Sequence, residues 1–281
     1  MKTTPNKQLS TAHKTFNTDG AVKLSGVFTQ QQLDLLAVAV NKAMSSKDRY
    51  TRIQSSADDP GKFFSDYWAS DRVPEIKHFL HQSPAAELAA GVLNSNTARF
   101  FFDAIWVKEP GTQKVSTWHQ DQPYYCVDGK QICIMWIPID RVSRNVSLQC
   151  VRGSHRSGKV YAPVRFTDGE GFGRGDRSSG FMGYDVMPDI ESEAQFERLS
   201  WDFEPGDCLV FHGMTIHGAP GNPSLQRRRV VSITWLGDDV RFIKRPGEME
   251  PHRQHFDHWS NGCLLPEQDF PTIWPSSSKT F

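Results

Sequence analysis

The sequence has no surplus of charge of either sign, because 32 lysines and arginines are balanced by 32 aspartates and glutamates. A chain without a basic excess offers no general attraction for nucleic acid or for an anionic membrane surface, so neither is expected as its partner. It also lacks any run of 18 apolar residues, which excludes a predicted membrane-spanning helix. Its polar start, MKTTPNKQLSTAHK, has no apolar stretch typical of a secretory signal, and this favours a cytoplasmic protein.

A disulfide framework is not indicated either. The cysteines are odd in number and contain no Cys-x-x-Cys pair, and three of them fall in apolar, strand-like stretches. Buried free thiols in a reducing compartment are therefore expected. The cysteines are Cys126, Cys133, Cys150, Cys208 and Cys263.

What the chain does have is enough apolar and aromatic material for a sizeable core. Of its 281 residues 38% are hydrophobic, with 18 phenylalanines and 8 tryptophans. With no repeats and no linker visible, we predict one domain over residues 1–281. Its parts are a mainly helical segment (1–97), a β-core (98–237) and an irregular C-terminal tail (238–281).

Two helices are predicted in the first part. Thr29 is a suitable N-cap for a helix that carries apolar residues at 33, 36, 38 and 40. A second helix is expected over 83–95, with Ser83 as N-cap and Pro84 in the first turn.

From about residue 98 short apolar strands alternate with glycine and proline turns. This pattern predicts a jelly roll, with the helices packed on one of its sheets, and hence an α+β fold that is mainly β. A glycine-rich stretch at 167–185 lies between predicted strands, and it is either an inert loop or a lid over a pocket.

The first chemical signal is the stretch STWHQDQPYY (116–125), in which His119 and Asp121 are two residues apart. Alternate residues of a strand point to the same face, so this imidazole and this carboxylate are predicted to project together. With a second histidine they would complete the 2-His-1-carboxylate set that holds non-haem Fe(II). Alone the pair is a weak signal, because a hydrogen-bonded surface pair is also common.

About a hundred residues later the chain offers both a further histidine and an anion-binding side chain. His212 and His217 are the two candidates for the third ligand. Three consecutive arginines then open an apolar strand, where alternation separates Arg228 from its two neighbours and places Ser232 on the same face. A buried guanidinium needs an anionic partner, and it can bind a small carboxylate through two hydrogen bonds.

These residues resemble the phytanoyl-CoA dioxygenase family of Fe(II)- and 2-oxoglutarate-dependent oxygenases. The family pattern is H-x-D, a distant histidine and an arginine eleven residues later, which here reads His119, Asp121, His217 and Arg228. The stretches MWIPIDRVSRNVSLQCVRGSHRSG (135–158) and HGAPGN (217–222) are also similar to the family's. The resemblance covers roughly residues 16–237 and implies a double-stranded β-helix.

The resemblance also implies an activity. His119, Asp121 and His217 would bind Fe(II), and Arg228 would hold the far carboxylate of 2-oxoglutarate. With O2, such an enzyme hydroxylates a small molecule and releases succinate and CO2. The retained carboxylate of Asp121 favours hydroxylation, since related halogenases replace that residue by a small one.

Further candidate residues carry less specific signals. Trp136, Tyr125 and Ser232 are candidates for the cosubstrate site, and Lys108 and Gln120 are weaker ones. Ala219 stands where some relatives have a hydroxyl residue, which implies one hydrogen bond fewer to the cosubstrate.

Three histidines of the tail, His252, His255 and His258, are spaced by three. A solvated or lid segment is the favoured interpretation of this spacing, ahead of a metal site. His155 is expected to be a structural turn histidine.

Two alternative functions stay open. One is a non-catalytic jelly-roll protein that binds a small acid or sugar in the same pocket. The other is a hydrolytic or isomerising metal enzyme of the cupin type, which the lack of a second histidine close to His119 disfavours.

Overall fold

Four helices and fourteen strands make up the part of the chain that the computed structural model describes, which is residues 5–163, 183–245 and 259–275. The helices are α1 (Pro5–Asp19), α2 (Gln30–Ser45), α3 (Pro74–Gln82) and α4 (Ala85–Leu93). None of the described helices is long and apolar enough to cross a membrane.

The helix predictions hold in part. Thr29 caps α2 with a full capping box, in which its hydroxyl accepts from the Gln32 amide and the Gln32 side chain accepts from the Thr29 amide. The predicted second helix begins later than expected. Pro84 precedes its first residue, and the Ser83 hydroxyl accepts from the Ala85 amide at 3.3 Å.

Helices α1 and α3 were not predicted. Helix α3 has no side-chain N-cap in the structure, and α1 opens in the polar N-terminal stretch, so the local start signals were weak.

The strands form two sheets and one isolated pair, all antiparallel. The large sheet has the order β1-β10-β7-β12-β4-β3-β2, with β14 also paired to β4, and the small sheet has the order β5-β11-β8-β9. Strands β6 and β13 pair separately. The strands are β1 (Ala21–Leu24), β2 (Thr51–Ile53), β3 (Phe63–Tyr67), β4 (Ala98–Lys108), β5 (Ser116–His119), β6 (Val127–Asp128), β7 (Ile132–Pro138), β8 (Gln149–Val151), β9 (Arg198–Leu199), β10 (Cys208–His212), β11 (His217–Ala219), β12 (Arg228–Leu236), β13 (Arg241–Phe242) and β14 (Thr272–Trp274).

Strand β12 shows how the large sheet separates its two faces. Val231 and Ile233 join the core shared with the helices, together with Leu36 of α2. Ser232 and Thr234 point the other way and line a cavity between the sheets. Because the helices bury one face completely, chemistry is restricted to the opposite face. The predicted mainly-β jelly roll with helices on one sheet is confirmed.

The described part of the C-terminal segment contributes two short strands. Strand β14 pairs with the start of β4, and β13 pairs with β6, which follows the predicted His-x-Asp motif closely. Phe270 and Leu265 are buried in the same aromatic cluster as Tyr125. The segment therefore supports the region next to the candidate site.

Candidate active site

The predicted ligand residues come together. His119 ends β5 and His217 begins β11, and the two residues are direct partners in the register of these strands. Asp121 places Oδ1 3.1 Å from His119 Nε2 and 3.5 Å from His217 Nε2. Among the residues that the structure describes, these form the one group of at least three such side chains able to share a metal ion.

The route by which Asp121 reaches this point differs from the prediction. The strand ends at His119, and Asp121 has helical backbone angles (φ −81°, ψ −43°) at the start of a short 3-10 helix, Gln122–Tyr124. The carbonyl of Gly213 accepts hydrogen bonds from the amides of both Asp121 and Gln122, at 3.0 and 2.9 Å. This turn, and not strand alternation, brings the carboxylate back to the imidazole.

Backbone carbonyls orient both imidazoles. His119 Nδ1 donates to the Thr117 carbonyl at 2.8 Å, and His217 Nδ1 donates to the Thr215 carbonyl at 2.9 Å. A histidine that donates through Nδ1 offers the lone pair of Nε2 to a metal, and such outer partners fix the ring. Both Nε2 atoms face Asp121, so three donor atoms converge.

Burial and neighbouring groups set the charge states that metal binding requires. Burial, helped by the nearby His119, lowers the pKa of His217 to about 4, so the ring is neutral at pH 7. Burial by itself would raise the pKa of Asp121, but His217, His119 and a hydrogen bond from Tyr125 outweigh it and lower that pKa. Neutral imidazoles and an ionised carboxylate are the forms in which these residues bind metals.

The spacing of the donors fits one metal ion. Adjacent ligands held at about 2.1 Å from an octahedral ion lie roughly 3 Å apart. The separations of 3.1 and 3.5 Å from Asp121 Oδ1 are close to that value. A 2-His-1-carboxylate face with open positions is the arrangement preferred by non-haem Fe(II) oxygenases.

A cavity between the two sheets opens beside these ligands. Its volume is about 120 Å³. Its walls include all seven residues predicted for the site: His119, Asp121, Tyr125, Trp136, His217, Arg228 and Ser232.

Arg228 is the one cationic side chain among the described residues that line this cavity. It is 5% exposed, one terminal nitrogen donates to the Val146 carbonyl, and its buried Nε has no hydrogen-bond partner. Burial lowers its pKa to about 10, so the group remains charged at pH 7. A buried guanidinium with an unpaired N–H fits the role of a carboxylate-binding group.

The flanking arginines differ as strand alternation predicted. Arg227 pairs with Glu109 and Arg229 pairs with Asp140, and both pairs lie away from the cavity. Arg228 alone of the three is available to a ligand in the cavity.

The other candidates for the cosubstrate site have distinct surroundings. Trp136 lines the cavity and packs on Phe203, with ring centroids 5.2 Å apart. The Ser232 hydroxyl accepts from Trp106 Nε1 at 2.9 Å and donates to the Ala104 carbonyl at 3.3 Å, so its proton is already engaged. Ser232 thus shares the cavity wall but orients Trp106.

His212, the competing third ligand, has a structural role. Its Nε2 donates to the Lys130 carbonyl at 2.9 Å, and its Nδ1 accepts from the Met214 amide at 3.0 Å. His155 likewise bonds a backbone carbonyl, that of Asn17, as expected of a turn histidine.

Gln120 and Lys108, the weaker candidates, both bind backbone groups. Gln120 bonds the carbonyls of Lys159 and Met214 and the amide of Tyr161. Lys108 is fully buried, and its side-chain nitrogen donates to the Pro220 carbonyl at 2.8 Å. Neither lines the cavity.

Some predicted features lie outside the described residues. These are most of the proposed lid (167–182 of 167–185) and the three tail histidines His252, His255 and His258.

The cavity has an aromatic wall that was not predicted from the sequence. Its members are Phe63, Tyr67, Phe102, Trp106 and Tyr124. Alternation within the stretch ARFFFDAIWVK could have indicated that Phe102 and Trp106 share a face, but it could not show which face meets the ligands.

Comparisons with known proteins agree with this geometry. The family model for phytanoyl-CoA dioxygenase matches residues 16–230. A probable phytanoyl-CoA dioxygenase of Caenorhabditis elegans is 26% identical over 218 residues, which are 75% of this chain and 62% of that protein. The chain thus spans less than two thirds of the length of this relative.

Solved structures share the fold at low identity. The non-heme alpha ketoglutarate dependent carbocyclase SnoK from nogalamycin biosynthesis has a TM-score of 0.73 and 19% identity, over 97% of this chain and 99% of its own. The epimerase SnoN from the same biosynthesis has a TM-score of 0.70 and 18% identity, over 95% and 98%. EctD from S. alaskensis has a TM-score of 0.65 and 16% identity, over 91% and 85%.

The fold, the His-Asp-His group and the family match agree with one another, and the predicted Fe(II) and 2-oxoglutarate suit the donor set and the buried guanidinium. The chain belongs to the phytanoyl-CoA dioxygenase family.

Proposed function

We propose that the protein is an Fe(II)- and 2-oxoglutarate-dependent dioxygenase that hydroxylates a small-molecule substrate and releases succinate and CO2. The observation that carries this proposal is the convergence of His119, Asp121 and His217 on one wall of a cavity whose only described cationic side chain is Arg228.

Each residue has a separate task in this proposal. His119, Asp121 and His217 would hold the iron and leave three positions open. Arg228 would bind the far carboxylate of 2-oxoglutarate through its unpaired N–H. When bound, the iron and 2-oxoglutarate supply the oxidising chemistry with O2.

The cavity wall restricts what approaches the iron. Trp136, Phe211 and Leu148 surround the ligand residues, and such an apolar lining excludes water from the reacting centre. The aromatic wall of Phe63, Tyr67, Phe102, Trp106 and Tyr124 favours an uncharged, apolar portion of the substrate at this position.

Hydroxylation is the favoured outcome, although proteins of this fold include an epimerase and a carbocyclase. Asp121 occupies the carboxylate position, so the chain has the full ligand set of a hydroxylase and no opening for a halide. Product analysis by mass spectrometry separates the outcomes, because hydroxylation adds one oxygen atom whereas epimerisation leaves the mass unchanged.

Spectroscopy without oxygen tests the metal and the cosubstrate together. Anaerobic addition of Fe(II) and 2-oxoglutarate is expected to give a weak visible charge-transfer band in the wild type and none in His119→Ala. Aerobic incubation with small-metabolite pools is then expected to release succinate in amounts that depend on substrate.

The same measurements test the alternative of a non-catalytic binding protein. Such a protein would bind a small acid by calorimetry yet give neither the band nor succinate. His212→Gln serves as a control that alters a buried histidine outside the ligand set, and it should retain the band.

A further inference from the structure

Tyr125 stands out because its hydroxyl hydrogen-bonds the ligand carboxylate while being buried at 3% exposure. That hydroxyl also lies 3.5 Å from Thr234 Oγ1 on β12. It thus joins Asp121 to the strand that carries Arg228.

The ring of Tyr125 is held firmly. Phe101 and Phe102 pack edge-on against it, with ring centroids at 5.1 and 5.5 Å. Such packing from two sides leaves the ring one orientation, and this fixes the direction of the hydroxyl.

The backbone of Tyr125 is held by the C-terminal segment. Arg245 Nε donates to the Tyr125 carbonyl at 2.8 Å, and its terminal nitrogen donates to the Val127 carbonyl at 3.1 Å. The Ile243 amide donates to the Cys126 carbonyl at 2.9 Å. Residues more than a hundred positions away in sequence therefore determine where Tyr125 lies.

We propose that Tyr125, fixed by Arg245, is a positioning residue that keeps the Asp121 carboxylate directed at the metal through one oxygen. Asp121 Oδ1 faces both histidine nitrogens, and the phenol bond restrains the rotation that would bring the second oxygen to the metal. A carboxylate free to bind through both oxygens would occupy a position that the cosubstrate needs. This inference rests on the proposed function.

Metal affinity provides the first test. Outer hydrogen-bond partners of metal ligands typically change affinity by about 10- to 100-fold. Tyr125→Phe is therefore expected to weaken Mn(II) and Fe(II) binding by about tenfold or more and to shift the charge-transfer band formed with 2-oxoglutarate. Tyr161→Phe is the matched control, since Tyr161 is a buried tyrosine that does not line the cavity, and it should bind metal within about twofold of wild type.

A double-mutant cycle separates positioning from a general loss of structure. Arg245→Met should weaken metal binding in the same direction, and the combined variant should lose little more than Tyr125→Phe alone, because both act through one hydroxyl. Thermal unfolding of the metal-free variants shows whether each folds.

Two results would overturn the inference: unchanged metal affinity and band in Tyr125→Phe, or full additivity in the cycle. A wild type that binds neither metal nor 2-oxoglutarate would instead refute the proposed function.

Discussion

Replacing Arg228 by methionine should abolish tight binding of 2-oxoglutarate and leave metal binding almost intact. The guanidinium is 5% exposed and has an unpaired N–H, so the far carboxylate of the cosubstrate would exchange its hydration for a buried charge-assisted bond. Truncating one partner of such a pair costs about 2–5 kcal/mol. The lower part of that range applies, because Arg228 already gives one donor to the Val146 carbonyl.

A loss of about 2–3 kcal/mol corresponds to a dissociation constant raised roughly 30- to 150-fold. Arg228→Lys keeps a charge but loses the planar guanidinium, so it should weaken 2-oxoglutarate binding by about 1.4 kcal/mol, or tenfold. Arg227→Gln is the matched control. Its side chain is 45% exposed and pairs with Glu109 outside the cavity, so the affinity for 2-oxoglutarate should not change.

Anaerobic calorimetry of the Mn(II)-loaded proteins measures these constants directly. Thermal unfolding adds an independent readout, since a ligand at 100 times its dissociation constant stabilises the folded protein by about 2.7 kcal/mol. 2-Oxoglutarate should raise the melting temperature of the wild type and of Arg227→Gln, and should raise that of Arg228→Met far less. If Arg228→Met keeps an affinity close to that of the wild type, the cosubstrate lies elsewhere and the proposed anchor is wrong.

Three further predictions concern buried polar residues. Burial lowers the pKa of Lys108 to about 5, so between that pH and the ordinary lysine pKa the unfolded chain binds one proton more than the folded chain. The free energy of unfolding should therefore rise with pH across this window. Urea unfolding measured from pH 6 to 9 should show a smaller rise in Lys108→Met than in the wild type. Gln120→Ala removes bonds to three backbone groups and should cost about 2–3 kcal/mol of stability in urea while metal affinity stays near wild type. His217→Gln should lose metal binding, whereas His212→Gln should keep metal binding and lose stability. Calorimetry and thermal unfolding of both variants would show the opposite pattern if His212 were the third ligand.

The fold class was predictable from short-range patterns, whereas the family resemblance selected His217 alongside His119 and Asp121, three residues that the structure brings together. Alternation in β12 separated Arg228 from its neighbours, and the structure shows that separation as burial on one side and ion pairs on the other. The capping of α2 by Thr29 was readable for the same reason, since it involves two residues three apart.

What could not be predicted depends on contacts between distant segments. The partner of the Tyr125 backbone is Arg245, and no local pattern relates the two. The aromatic wall combines β3 and β4 with a 3-10 helix, so its existence follows from strand pairing and not from any one stretch.

The carboxylate of Asp121 lies beside the His119 imidazole as predicted, but for a different structural reason. Strand alternation predicted that its carboxylate would share a face with the His119 imidazole, yet the strand ends before Asp121. The carboxylate is directed instead by the Gly213 carbonyl, which binds the amides of Asp121 and Gln122. Gly213 lies four residues before His217, so the loop that leads into His217 also positions Asp121. The two parts of the proposed metal site are thus coupled through this loop, so the spacing between Gly213 and His217 constrains the site together with the His-x-Asp motif.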